Sequence, residues 1–155
     1  MGIPTFSAAT ARDTIADALG EAGCVVVTGV FEESTRNRVR QELDPYMERV
    51  SGGEDDPAEF YAGRTRRTSA LVARSETVGE LVADQMSEKM CHRFLSPNGE
   101  FGYHLHVSAA LEVGPGARRQ ILHREEDSFT FFPHPRPNLI VASMWAVSDF
   151  RADNG

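Results

Sequence analysis

The chain has 155 residues, of which 41% are hydrophobic and 25% charged, with a formal net charge of −7. That length and apolar content suit a single globular domain with its own core. The acidic balance argues against a nucleic-acid polyanion as the main partner, because such binders present a basic stripe.

No apolar run approaches the roughly 18 residues of a membrane span. The start, Met1-Gly-Ile-Pro-Thr-Phe6, lacks the basic region and apolar core of a signal peptide. Cys24 and Cys91 lack metal-type spacing. Buried free thiols in a reducing, cytoplasmic setting are the expectation.

Residues 10–22 carry Ile15, Ala18, Leu19 and Ala22 at helical spacing, and Gly23 is placed to stop that helix. Residues 24–28 predict a short β-branched strand. Ser34 or Thr35 can cap a second helix with Val39, Leu43, Met47 and Val50 on one face. The run Ser51-Gly-Gly-Glu-Asp-Asp-Pro57 predicts an exposed loop. The basic cluster Arg64-Thr-Arg66-Arg67 reads as a solvated loop, with contact to an anionic substrate as the sharper alternative. Ser75 can cap a third helix with the stripe Val78, Leu81, Val82, Met86 and Met90, its methionines serving as core filler.

After Met90 the period changes. Pro97-Asn98-Gly99 signals a turn. Over residues 103–113, Tyr103, Leu105, Val107, Ala109, Leu111 and Val113 alternate with more polar neighbours, the pattern of a strand with one apolar face. Further strands are expected at 120–123 and 139–147. Helices followed by turn-separated strands predict an α+β fold with an antiparallel sheet. Residues 1–95 are expected to be mostly helical and 96–155 strand-rich, within one domain.

The chemistry concentrates in Gln120-Ile-Leu-His123-Arg-Glu125-Glu126-Asp127, after a turn signal at Pro115-Gly116. On extended backbone His123 and Glu125 point to the same side. Two such ligands and a histidine from elsewhere make the 2-His-1-carboxylate face of non-haem Fe(II) sites. Glu126 and Asp127 stand beside Glu125 and leave open which acid binds. A rival pair, His104 and His106, lies two apart on the polar face of the 103–113 strand and could share a metal as in a cupin. Phe129, Phe131 and Phe132 suit either an apolar substrate wall or a barrel core. His134, flanked by Pro133 and Pro135, reads as a rigid loop residue near a pocket mouth.

Taken in order, these pieces resemble the phytanoyl-CoA dioxygenase family of Fe(II)/2-oxoglutarate oxygenases. The series begins with the strand at 103–113, Pro115-Gly116 and Gln120-x-Leu122-His123-Arg124. A spacer with Phe129, Phe131, Phe132 and Pro133 follows, then an apolar strand from Asn138 that holds Trp145. Ser148-Asp149-Phe150-x-x-x-Asn154-Gly155 closes the series. Where the family typically reads Leu-His-x-Asp, this chain has Glu125.

The resemblance implies a double-stranded β-helix (jelly-roll) with N-terminal helices packed outside and the barrel incomplete in this chain. It implies Fe(II) held by His123, Glu125 and a distal histidine. It implies 2-oxoglutarate as co-substrate, bound near Gln120 and Trp145. A small-molecule substrate would lie against Phe129 and Phe131, and molecular oxygen would be the oxidant. Hydroxylation with release of succinate and CO2 is the usual outcome, and the carboxylate at 125 argues against halogenation. The distal histidine and the arginine that pairs with the co-substrate are expected beyond Gly155. Residues 1–155 alone are therefore expected to be inert. Their open sheet edge should favour association with other chains, a homo-oligomer among the outcomes. A non-catalytic remnant is the alternative reading.

Overall fold

Helical spacing and a glycine stop produce the first helix where the sequence places it. In the computed structural model, which describes residues 2–49, 65–96, 102–117 and 120–153, α1 spans Arg12–Ala22. Gly23 ends it at a φ of 75°, where its N–H reaches the Leu19 carbonyl in a conformation that a Cβ disfavours. On either side, β1 (Thr5–Ser7) and β2 (Val26–Thr28) pair with Phe6 opposite Val27. This pair is parallel, unlike the expected antiparallel sheet, because α1 carries the chain back to the same end before β2 begins.

The second helix, α2 (Glu33–Leu43), starts one residue before the predicted cap, with Glu32 at the cap position and no side-chain cap bond. It buries Val39 and Leu43 but does not reach Met47. Pro45 has no N–H to continue the helix, and Asp44–Tyr46 tightens into a 3-10 turn. Val50, the acidic loop at 51–57, Arg64, the Pro97-Asn98-Gly99 turn, Arg118-Arg119 and Asn154-Gly155 lie outside the described residues.

The long stripe from Val78 to Met90 is divided between α4 (Glu76–Val82) and α5 (Gln85–Phe94), after a short α3 (Leu71–Arg74). Ser75 caps α4 as predicted, its Oγ accepting from the Val78 N–H at 3.0 Å. Asp84 causes the break: its carboxylate accepts from the Met86 N–H at 2.7 Å and so starts a new helix instead of continuing the old one.

Two hydrophobic clusters hold these helices. Ile15, Ala16 and Met90 join α1 to α5, with Phe6, Val27 and Met86 around them, so the methionines fill the core as expected. Val39, Leu43 and Val78 join α2 to α4, with Leu81, Ala110 and Val147 against them. A carboxylate crosses this second contact. Glu42 accepts from the Thr77 N–H at 3.2 Å, from the Thr77 hydroxyl at 2.7 Å, and from the Ser75 hydroxyl. Ser75 and Thr77 are buried, so Glu42 serves α4 as a second cap supplied by another helix. Both cysteines are free thiols, but Cys24 is exposed rather than buried and Cys91 is half-buried.

An antiparallel sheet runs in the order β3 (Glu48–Arg49), β4 (Thr65–Ser69), β5 (Ala109–Val113). Its central strand is the stretch read from sequence as a solvated loop, and this corrects that reading. Arg66 lies opposite Glu112 in the ladder, bonds it at 2.8 Å and reaches Asp44 at 3.3 Å. The predicted strand at 103–113 shrinks to its last five residues. Ser69 pairs with Ala109, and the next residue, Ala70, turns to a φ of 57° and starts α3. Leu105 and Val107 thus have no partner in β4. Ala110 meets the α2–α4 cluster, whereas Leu111 and Val113, in the other phase of the strand, are 49% and 62% exposed.

The strands expected at 120–123 and 139–147 form no ladder. In 139–147 burial is partial and uneven: Leu139, Ile140, Val141, Trp145 and Val147 are half-buried, while Ser143 is exposed and Met144 is 83% exposed. Apolar pattern decides which side faces the protein; a ladder also needs a neighbouring backbone. The fold is mixed α and β, with no closed barrel among the described residues. Among them no helix is long and apolar enough to cross a membrane.

The Ser75 and Thr77 hydroxyls hold the Glu42 carboxyl below its ordinary value of 4.5. A depressed carboxylate contributes stability that is complete above its unfolded value and fades as pH falls through the folded one. Glu42→Gln should cost about 1–3 kcal/mol at neutral pH by urea unfolding, as expected for disrupting hydrogen bonds to a charged group. The variant should also lose less further stability than the wild type on acidification below pH 4.5. Equal acid sensitivity in the two proteins would assign that window to other groups.

Candidate functional site

Residues 120–124 belong to no helix or ladder, and the chain then closes into the 3-10 turn Glu125–Ser128. Backbone bonds enter and leave the turn, from the Asp127 N–H to the Arg124 carbonyl at 3.0 Å and from the Phe129 N–H to the Glu126 carbonyl at 3.1 Å. Arg124, at φ −114° and ψ 130°, is the single extended residue between His123 and Glu125. Their side chains therefore meet, with His123 Nε2 3.3 Å from Glu125 Oε1.

The other ring nitrogen, Nδ1, lies 2.9 Å from the Ile121 carbonyl oxygen. A carbonyl only accepts, so Nδ1 carries the hydrogen and Nε2 is the nitrogen turned to Glu125. The Ile121 bond, and after it the Glu125 and Asp127 carboxylates, raise His123 above its ordinary 6.5, against the opposing effect of desolvation. Two donors about 2.1 Å from one ion and at right angles lie about 3.0 Å apart. The separation of His123 and Glu125 suits a shared divalent ion by that measure.

The neighbouring acids are engaged by arginines. Asp127 Oδ1 lies 3.2 Å from Arg136 Nη2, and Glu126 Oε1 lies 3.6 Å from the same nitrogen. Glu126 also pairs with Arg124. The Arg136 side chain is only 7% exposed. Of three successive acids, Glu125 is the one that faces His123. Arg136 went unassigned in the sequence, where its signal is charge complementarity: an arginine between Pro135 and Pro137, nine residues after Asp127.

The remaining expected site residues fall in three separate places. Phe129 and Phe131 meet edge to face with ring centroids 6.1 Å apart, and Phe132 lies 4.8 Å from Phe131. Gln120 is exposed, three residues before His123. Trp145 packs near Phe31, with centroids 6.3 Å apart. The cupin-like pair loses its basis, because the strand begins at Ala109 and the face that His104 and His106 would share is not formed. His106 lies 5.6 Å from the Phe129 ring instead. Among the described residues no group of three or more His, Cys, Asp or Glu side chains could hold a metal ion. His123 and Glu125 would be two ligands of a larger set.

Residues 19–155 match the model of the family described as phytanoyl-CoA dioxygenase (PhyH). The chain belongs to the phytanoyl-CoA dioxygenase family. It is similar to the multifunctional dioxygenase prhA of Penicillium brasilianum, with 32% identity over 161 residues that cover 97% of this chain and 51% of the relative. The multifunctional dioxygenase ausE of the same organism is 31% identical, again over 97% of this chain and 51% of its own length. Its namesake in Aspergillus calidoustus is 31% identical, over 97% and 52%. The chain thus spans about half the length of these curated relatives.

In metal-free protein the His123 ring should titrate above 6.5 by NMR, and Glu125→Gln should lower the midpoint. A wild-type midpoint at or below 6.5 would contradict the Ile121 and Glu125 contacts.

Proposed function

We propose that the protein is an Fe(II)/2-oxoglutarate-dependent oxygenase that hydroxylates a small organic substrate and releases succinate and CO2. One observation carries this reading. In a chain of the phytanoyl-CoA dioxygenase family, His123 Nε2 and Glu125 Oε1 converge at 3.3 Å with the histidine tautomer set by Ile121. His123 and Glu125 would hold Fe(II), and a further histidine would complete the set. Bound there with 2-oxoglutarate, iron supplies the oxygen-activating redox chemistry that side chains lack.

The chain's own residues bind and orient. The Ile121 carbonyl holds the His123 Nδ1–H and so presents Nε2 as the donor. Glu125 brings a negative charge that offsets part of a dication. Gln120 offers an amide to the co-substrate, and Trp145 an apolar ring face. Phe129 and Phe131 form a wall that excludes water and receives an apolar part of the substrate. Relatives named multifunctional dioxygenases are consistent with oxidation of an organic molecule.

The same reading assigns the three-stranded sheet and the segment 139–147 to a double-stranded β-helix. The exposed apolar phase of β5 and the unpaired apolar run at 139–147 support it, since both suit neighbours that the described residues lack.

The test uses the complete protein. Succinate formed from 2-oxoglutarate should depend on added Fe(II). His123→Ala and Glu125→Ala should each lower it by clearly more than about 100-fold, and Glu126→Ala and Asp127→Ala by no more than about 10–100-fold, the scale of residues that support a ligand without being one. Equal losses at the three acids would refute Glu125 as the ligand. Undiminished turnover in His123→Ala would refute the site.

A further inference from the structure

We propose that Arg136 is a positioning residue, which fixes the 3-10 turn that aims Glu125 at His123 by gripping the two acids that follow Glu125. The clamp belongs to the metal-free fold; its consequence for a metal rests on the function proposed above.

The turn cannot hold itself well. It is a single four-residue 3-10 turn with no side-chain cap, and the bonds at its two ends come from the Asp127 and Phe129 N–H groups. Isolated turns of this kind have poor hydrogen-bond geometry and little intrinsic stability. His123, Glu125 and Asp127 are all exposed, so packing around them adds little.

Arg136 is the contrasting feature. Its side chain is 7% exposed, and it reaches Asp127 at 3.2 Å and Glu126 at 3.6 Å. A guanidinium taken out of water needs such partners, and here Nη2 serves both acids, hydrogen-bonding Asp127 and lying within ion-pair distance of Glu126. Pro135 and Pro137 flank Arg136, and their fixed φ angles limit the freedom of the segment that carries the guanidinium. The turn is thus pinned from the far side of the aromatic run at 129–132.

The pinning sorts the acids. Turning Glu126 or Asp127 toward His123 would break the contact that residue makes with Arg136. Glu125, without a place on Arg136, remains on the His123 side. Arg136 acts through the turn and not on metal or substrate.

The experiment compares the complete wild-type protein with Arg136→Gln and Arg136→Lys by two readouts. The first is amide hydrogen exchange without metal. Arg136→Gln should speed exchange at Asp127 and Phe129 by about tenfold or more, and leave the amides of α1 and α5 unchanged. The second is Co(II) titration followed by the visible spectrum of the bound ion. Arg136→Gln should weaken binding by about tenfold or more and change that spectrum. Arg136→Lys keeps a cation on the acids and should recover at least half of the lost affinity on a logarithmic scale. Unchanged exchange at the turn, exchange that spreads to α1 and α5, unchanged Co(II) affinity in Arg136→Gln, or a Lys variant no better than Gln would each overturn the proposal. A wild-type protein that takes up no Co(II), with turn exchange still raised in Arg136→Gln, would remove the metal reading and leave the clamp standing.

Discussion

Helix α4 begins inside the protein, and much of the structure depends on how its first N–H groups are satisfied. Ser75, Thr77 and Val78 are all buried, so water is a poor partner for them. Ser75 serves one donor, and Glu42, reaching across from α2, serves the Thr77 N–H and both hydroxyls. A charged acceptor also favours the positive end of a helix. That interaction sets α2 against α4 and brings Val39 and Leu43 onto Val78. Ala110 of β5 and Val147 then have a surface to rest on. Polar satisfaction and apolar burial agree at one contact, and the antiparallel sheet is seated beside it.

What could be read from the sequence was mostly what is decided locally. Helix α1 and its glycine stop, the Ser75 cap and the core role of Met90 follow from spacing within a few residues. Strand β4 did not show itself, because Thr-Arg-Arg-Thr-Ser has no apolar alternation. Its fitness for a sheet lies in Arg66 opposite Glu112, a partner far along the chain. The converse holds at 139–147. There the apolar run does place Leu139, Ile140, Val141, Trp145 and Val147 partly against the protein, but no strand among the described residues pairs with it. Pattern reports burial; pairing reports topology.

The site divides along the same line. His123 and Glu125 were legible because one extended residue between them is enough to put both on one side. Phase with His123 also favoured Glu125 over Glu126 and Asp127, but the contacts those two acids make with Arg136 were not legible, because Arg136 lies beyond the aromatic run. The packing of Trp145 near Phe31 was not legible either, because Phe31 comes from the loop before α2, far along the chain. The rival histidine pair failed for a topological reason as well, since α3 begins where β4 would have had to continue to hold that part of the strand.

The extended segment at 139–147 touches both hydrophobic clusters, Val141 at the one built on α1 and α5 and Val147 at the one built on α2 and α4. It makes no ladder of its own, so its order derives from the surfaces beneath it. Loosening either cluster would free one end of the segment and weaken its hold on the other. The two small cores are thus coupled twice, through this strap and through the two-residue junction between α4 and α5, so an opening of either would be felt at the other.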